Sequence, residues 1–146
     1  MSDCDVLMKM TSDAKDFILH NTFAIIGATN DRTKYGNIVY RNLKGKGYTV
    51  YGVNPKLTEV EGDPCHPNLH SLPGPVDGIV TVVPPNITEK IVREAVELGI
   101  TRVWMQEGSE SADAIAIAES HNMATIYGRC VMVEANYRKI WEAEKR

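Results

Sequence analysis

Apolar positions along the chain fall into short unbroken blocks that alternate with stretches of helical spacing. "TFAIIG" is a block of the first kind, long enough for one buried strand and closed by Gly27. "GNIVYRNLKGKG" then carries Ile38, Val39 and Leu43 on one helical face, and Gly45 and Gly47 end it. "YTVYGVNP" predicts a second strand, stopped by Pro55. Residues 59–75 are rich in Pro, Gly and Asn and predict mostly loop, with "HSLPGPV" as a turn cluster. "DGIVTVVPP" predicts a third strand, again stopped by proline. Asn86 with Glu89 three residues on predicts a capping box. The helix it opens has Ile91, Val92, Ala95 and Val96 on its apolar face and closes at Gly99. "TRVWMQ" predicts a strand, "SADAIAIAESHN" an Ala-rich helix with Asn122 at its C-cap, and "ATIYG" the last strand. Two flanking helices complete the pattern. One starts at Ser12 and carries Ala14, Phe17 and Ile18; the other starts at Glu134 with Tyr137, Ile140 and Trp141 facing inward.

Strand and helix in regular alternation imply an α/β fold: Rossmann-like and doubly wound, with a mainly parallel sheet and helices on both faces. A length of 146 residues suits one domain. Residues 1–21 read as an N-terminal helical extension and residues 22–146 as the sheet domain. In such sheets a ligand sits beyond the C-terminal ends of the strands. That singles out "GATNDRTKYGN", "VNPK", "VVPPN" and "MQEGS".

The first of these is neither G-x-G-x-x-G nor a P-loop, yet it has the parts of a diphosphate cradle. Gly27 permits a sharp turn, and Gly36 allows close approach where the next helix opens. Thr29, Asn30 and Thr33 supply hydrogen-bond donors, Arg32 and Lys34 supply charge, and the helix N-terminus adds free N–H groups. The alternative is an ordinary strand-to-helix loop that happens to contain glycines, and binding is favoured over it because this first loop is the usual ligand site of the fold. The second strand ends without the carboxylate an NAD site uses to hold ribose hydroxyls. Lys56 stands there instead, which favours a ligand with an extra ribose phosphate, either NADP or coenzyme A. As an isolated Asn-Pro-Lys, the same segment is a plain turn with a solvated lysine. The double proline makes a rigid wall that can flank a base or merely stop the strand. Gln106 and Glu107 either meet the far part of a ligand or belong to a capping segment, with Ser109 or Ser111 as the cap.

Composition narrows the partners. Sixteen basic against 19 acidic residues, a net charge of −3, argues against nucleic acid, so phosphates must meet a local basic site. No run of about 18 apolar residues predicts a membrane span, and the N-terminus has no apolar signal core. Cys4, Cys65 and Cys130 lack C-x-x-C spacing and read as reduced thiols of a cytoplasmic protein. His20 and His121 fall at predicted helix ends. "CHPNLH" clusters Cys65, His66 and His70 without a fourth zinc ligand, so no metal is predicted. Cys130 reads either as a reactive thiol or as a small buried hydrophobe.

Taken in order, "IIGAT...KYGN", "GYTVYGVNPK", "VDGIVTVVPP", "VWMQEGS" and "GRCVMVE" resemble the coenzyme A-binding domain. That domain occurs alone in small bacterial and archaeal proteins. It also opens the succinyl-CoA synthetase alpha subunit and ADP-forming acyl-CoA synthetases. The resemblance runs from about Thr22 to Glu134. It implies that Gly27, Thr29, Asn30, Asp31, Arg32, Thr33, Lys34, Tyr35 and Gly36 line the phosphate loop. It also implies that Asn54, Pro55 and Lys56 lie near the adenosine and its ribose phosphate, that Val83 and Pro84 pack by the adenine, and that Met105, Gln106 and Glu107 approach the pantetheine arm. Asp31, awkward beside phosphates, either turns outward or pairs with Arg32. The chain departs from the stand-alone pattern at Ser109, where isoleucine is usual, at Gly128 in place of aspartate, and at Ala135 in place of a terminal histidine.

Synthetase chemistry uses a phosphohistidine domain and a nucleotide-grasping subunit, for which this length leaves no room. No Ser-His-Asp or paired-carboxylate arrangement is identifiable. Three functions follow as alternatives. One is a non-catalytic protein that binds coenzyme A or acyl-CoA, acting as a sensor, a homodimer or the servant of a protein partner. The second is a small NADP-linked oxidoreductase. The third is an interaction subunit whose loop binds nothing.

Overall fold

A computed structural model describes residues 2–145. Helix α1 spans Asp3–Leu19 and leads into β1 at Thr22–Ile26. Next come α2 at Tyr35–Gly45, β2 at Thr49–Val53, and the short strands β3 at Glu59–Val60 and β4 at Asp63–His66. Strand β5 is Gly78–Thr81, α3 is Pro85–Glu97, β6 is Arg102–Met105, α4 is Ala112–Ser120 and β7 is Ala124–Ile126. The chain closes with α5 at Val131–Glu134, a 3-10 turn at Ala135–Tyr137 and α6 at Arg138–Glu144.

The sheet order is β3-β4-β2-β1-β5-β6-β7. Every neighbouring pair is parallel except β3 with β4. The chain therefore winds outward in one direction from β1 through β2, and in the other from β5 through β7. Between β1 and β5 the following connections part to opposite sides of the sheet, which opens a crevice at their C-terminal ends. This is the predicted Rossmann-like, mainly parallel architecture.

Two apolar layers hold the helices on. The layer with α1, α2 and α5 contains Phe17, Phe23, Tyr40, Leu43 and Trp104, and that with α3 and α4 contains Ile79, Val92, Ala95, Val103 and Met105. Phe17 stacks on Phe23 at 4.5 Å between centroids and meets Trp104 edge-on at 5.3 Å. Helix α1 is thus part of the core, with Ala14, Phe17 and Ile18 buried as predicted.

Several boundaries differ from expectation, each for a local reason. Helix α1 begins at Asp3, not Ser12, because Ser2 caps it by accepting from the Asp5 N–H at 3.2 Å. Its first turns leave Leu7 and Met8 exposed, so apolar spacing alone does not mark them. Residues 59–75 are not loop throughout: β3 and β4 form a hairpin whose two-residue turn puts Glu61 at φ 50° and Gly62 at φ 82°. Helix α3 has no Asn86 capping box. Pro84 holds the cap position and Pro85 the first helical one, where a missing N–H leaves no bond unmade. Tyr137 and Ile140 are exposed, not inward, because the 3-10 turn shifts the helical phase; Val131 and Ala135 are buried in their place, and Trp141 packs against the core. No helix among the described residues is long and apolar enough to cross a membrane.

Candidate functional site

The crevice between β1 and β5 is closed at its base by two glycines. Gly27 lies at φ 97°, and a Cβ there would sit 2.4 Å from the Val82 carbonyl oxygen. A Cβ on Gly36 would sit 2.0 Å from the Gly27 carbonyl oxygen. The first turn of α2 therefore rests directly on the end of β1, as the sequence predicts. The Tyr35 and Gly36 amides, by their position, have no intrahelical acceptor.

The loop side chains are less free than their identities suggest. Asn30 spends both ends of its amide on the hairpin: Nδ2 donates to the Glu59 carbonyl at 2.9 Å and Oδ1 accepts from the Glu61 N–H at 2.9 Å. Arg32 forks onto Glu61 at 2.9 and 3.0 Å, so it is not the partner of Asp31. Asp31 is exposed and accepts from the Thr33 N–H and hydroxyl at 3.0 and 2.6 Å, bonds that hold its carboxyl below its ordinary range. Thr29 Oγ1 accepts from the Asp31 N–H at 3.3 Å. Lys34 and Tyr35 remain as exposed side chains at the mouth of the helix.

Glu61 is the residue that sequence reasoning missed. It accepts from Arg32 and from Asn37 Nδ2, the latter at 2.9 Å, and has Arg41 at 3.7 Å. The Arg32 hydrogen bond, then that of Asn37, draws its pKa down to about 2. Asn37 is fully buried, donates also to the Thr29 carbonyl at 2.8 Å, and accepts from Arg41 Nε at 2.6 Å. This network clamps the β1–α2 loop between α2 and the hairpin. Its one signal in the sequence is a polar Asn37 beside the apolar positions of a helix.

Asn54 Nδ2 donates to the Ala28 carbonyl at 3.0 Å, and its Oδ1 accepts from the Lys56 N–H at 2.9 Å. It thereby ties the ends of β1 and β2 together and leaves Pro55 and Lys56 exposed beside the loop. No carboxylate stands at the end of β2 in this turn.

From the crevice a cleft of about 880 Å³ runs along the strand ends toward β7. Tyr35, Val83, Pro84 and Pro85 line its beginning, and Gln106, Glu107, Gly128, Arg129 and Cys130 line its far part. Gln106 is only 6% exposed; its Oε1 accepts from the Val131 N–H at 2.9 Å and its Nε2 donates to Cys130 Sγ at 3.6 Å. Ser109 is buried, with Oγ 2.7 Å from the Gln106 carbonyl and 3.0 Å from that of Thr81, so it locks the β5 and β6 ends. Ser111 is the cap of α4 and also donates to Glu89. The predicted placement of Met105 fails: it is fully buried among the side chains of α3 and α4 and does not line the cleft. The 128–130 loop, not predicted as a contact, completes the far end. Trp104 Nε1 holds it through the Arg129 carbonyl at 2.9 Å, and Arg129 donates to Thr11 of α1 at 2.6 Å. Among the described residues, no group of three or more His, Cys, Asp or Glu side chains is placed to hold a metal.

The domain is thus a Rossmann-like sheet with a glycine-packed turn at its switch point and a long cleft beyond. The family model for the CoA binding domain matches residues 21–136, and the chain belongs to that family. Among curated proteins it is 34% identical over 119 residues to the alpha subunit of an ADP-forming acetate–CoA ligase II of Pyrococcus furiosus. It is 29% identical over 118 residues to ADP-forming acetate–CoA ligase I of Archaeoglobus fulgidus. The match takes in 74% of this chain in both cases, but only 26% and 17% of those proteins. Among solved structures, a conserved hypothetical protein of P. furiosus is 40% identical with a TM-score of 0.75, covering 78% of this chain and 98% of that one. A hypothetical protein of Pyrococcus horikoshii is 29% identical with a TM-score of 0.83, covering 88% and 91%. The family relationship supports coenzyme A as the ligand.

Proposed function

We propose that the chain binds coenzyme A or acyl-CoA along this cleft as a non-catalytic binding or regulatory protein. The diphosphate lies over the first turn of α2, where amides without acceptors and the positive helix end favour an anion. Lys56, exposed beside the β1–α2 loop, meets the ribose phosphate, and Val83 and Pro84 flank the adenine. The pantetheine arm then runs past Gln106 and Glu107.

The observation that carries this reading is the direction and length of the cleft. From the β1–β5 gap to the β7 loop is about two and a half strand spacings, roughly 12 Å. The pantetheine arm has about as many chain bonds as four residues and reaches roughly 14 Å when extended. An NADP-linked oxidoreductase would need a tyrosine–lysine or similar pair beside the nicotinamide, and the far part of the cleft is lined by Gln106, Glu107, Gly128, Arg129 and Cys130, with Tyr35 at the opposite end and no lysine in the lining.

Titration with CoA, acetyl-CoA, NADP and NAD tests the reading. Stabilisation should reach about 2.7 kcal/mol at a hundred times the dissociation constant for a CoA species. A shift with NADP and none with either CoA species refutes it. Turnover of acetyl-CoA with ADP and phosphate by the purified chain would refute the non-catalytic part alone.

A further inference from the structure

Helix α1 runs on past the fold at the far end of the cleft. Arg129, which lines that end, donates from Nη2 to Thr11 Oγ1 at 2.6 Å, so Thr11 marks the height at which α1 passes the cleft. Packing against the core starts at Met10 and deepens through Ala14, Phe17 and Ile18. Residues 3–9 continue above as helix for about 10 Å, and every one of them is exposed. A helical stretch with nothing to pack on should be polar all round. This one is not: Val6 is 40%, Leu7 59% and Met8 66% exposed. Leu7 and Met8 lie four and three residues before Thr11, so the helical turn sets both on the side that meets Arg129. The opposite lip of the cleft carries Glu107 and Glu110, carboxylates that hydrocarbon cannot cover without cost. Asp3 and Asp5 in the first turn bound the apolar stretch from above.

From this arrangement we infer that the projecting face of α1 is the acyl-chain wall of the cleft, and that the ligand it selects is an acyl-CoA of medium chain length. This rests on the binding reading above, because the pantetheine arm must first bring the thioester to the Arg129 end. From there the acyl chain has an apolar way out along Leu7 and Met8, whereas the other lip offers it carboxylates. An eight-carbon chain advances about 1.2 Å per bond, roughly 8 Å in all. That carries it from the level of Thr11 past Leu7, which stands about 6 Å higher. An acetyl group ends short of both side chains. Asp3 stands roughly 12 Å above Thr11, so a much longer chain outruns its apolar cover. Acyl-CoA of the right length covers the face and free CoA leaves it bare, which lets the chain tell the loaded cofactor from the empty one.

Calorimetric titration of the full chain with CoA, acetyl-CoA and octanoyl-CoA, the last kept below its micelle concentration, tests this. A fully buried methylene is worth about fourfold in affinity, and one covered on a single side roughly twofold. With six more methylenes than the acetyl ligand, octanoyl-CoA should bind at least about tenfold tighter. In the double variant Leu7→Gln, Met8→Gln, which keeps good helix formers on exposed positions, that preference should fall below about threefold while CoA binds as in the wild type. Ile140→Gln on α6, equally exposed but outside the cleft lining, should keep the preference. Equal wild-type affinities for acetyl-CoA and octanoyl-CoA, a preference that survives in the double variant, or one lost in Ile140→Gln overturns the inference. So does a ligand-free dimer, seen by light scattering, that the double variant dissociates, because a second copy would then cover the face. Each of these results leaves CoA binding standing, whereas failure of all three ligands to bind removes the reading beneath.

Discussion

Gly36→Ala tests the cradle most directly. The added methyl would lie 2.0 Å from the Gly27 carbonyl oxygen and 3.0 Å from its carbon. Carbon–oxygen contacts settle at about 3.3–3.6 Å, so the first turn of α2 must lift by roughly 1.3 Å. Both sides of the clash are backbone, so no side chain can rotate away. Overpacking of this kind costs about 1–3 kcal/mol or more. For a chain of this size each kcal/mol moves Tm by roughly 2–4 °C, so a fall of about 2–12 °C is expected. The same lift draws the free amides away from the diphosphate, and CoA affinity should drop at least about tenfold. Gly45→Ala is the control, since a Cβ there meets nothing within 4 Å and the position has no positive φ. It should be neutral or stabilising by about 0.4–1 kcal/mol. Thermal scanning and calorimetric titration of both variants decide the matter. A Gly36→Ala chain with wild-type Tm and wild-type CoA affinity would refute the argument that close packing of these two glycines builds the site.

Two further outcomes follow from the loop chemistry. Lys56→Ala should weaken CoA more than dephospho-CoA in parallel titrations; equal weakening would mean that Lys56 does not meet the ribose phosphate. Glu61 has its pKa lowered from 4.5 to about 2 by Arg32 and Asn37, so its contribution to stability is present above about pH 4.5 and is lost as pH falls toward 2. Thermal scans at about pH 5 and pH 3 should therefore show a smaller acid-induced loss in Glu61→Gln than in the wild type, and equal losses would dismiss the clamp.

The clamp also shows where reading the chain stops. Asn30 and Arg32 have the chemistry of phosphate ligands, and their order in "GATNDRTKYGN" gives no hint that both turn toward a hairpin about thirty residues on. That hairpin was itself hidden, because strands of two and four residues with Pro64 inside them carry no period-two signal. Met105 errs in the opposite way. It is adjacent to two cleft residues, but alternation along β6 turns its side chain into the α3–α4 layer.

What the sequence determined by itself is whatever depends on local spacing. The strand blocks, the helix faces, the two glycines and the missing acid after β2 follow from backbone sterics and burial period, and those act within a few residues. The family resemblance worked for the same reason, since it rests on ordered local motifs. Tertiary structure decided which polar groups are spent and which are free, because a hydrogen bond takes its partner from whatever the fold brings near. It gave Arg32 to Glu61, returned Asn54 to the Ala28 carbonyl and set Cys130 at the end of the cleft beside Gln106.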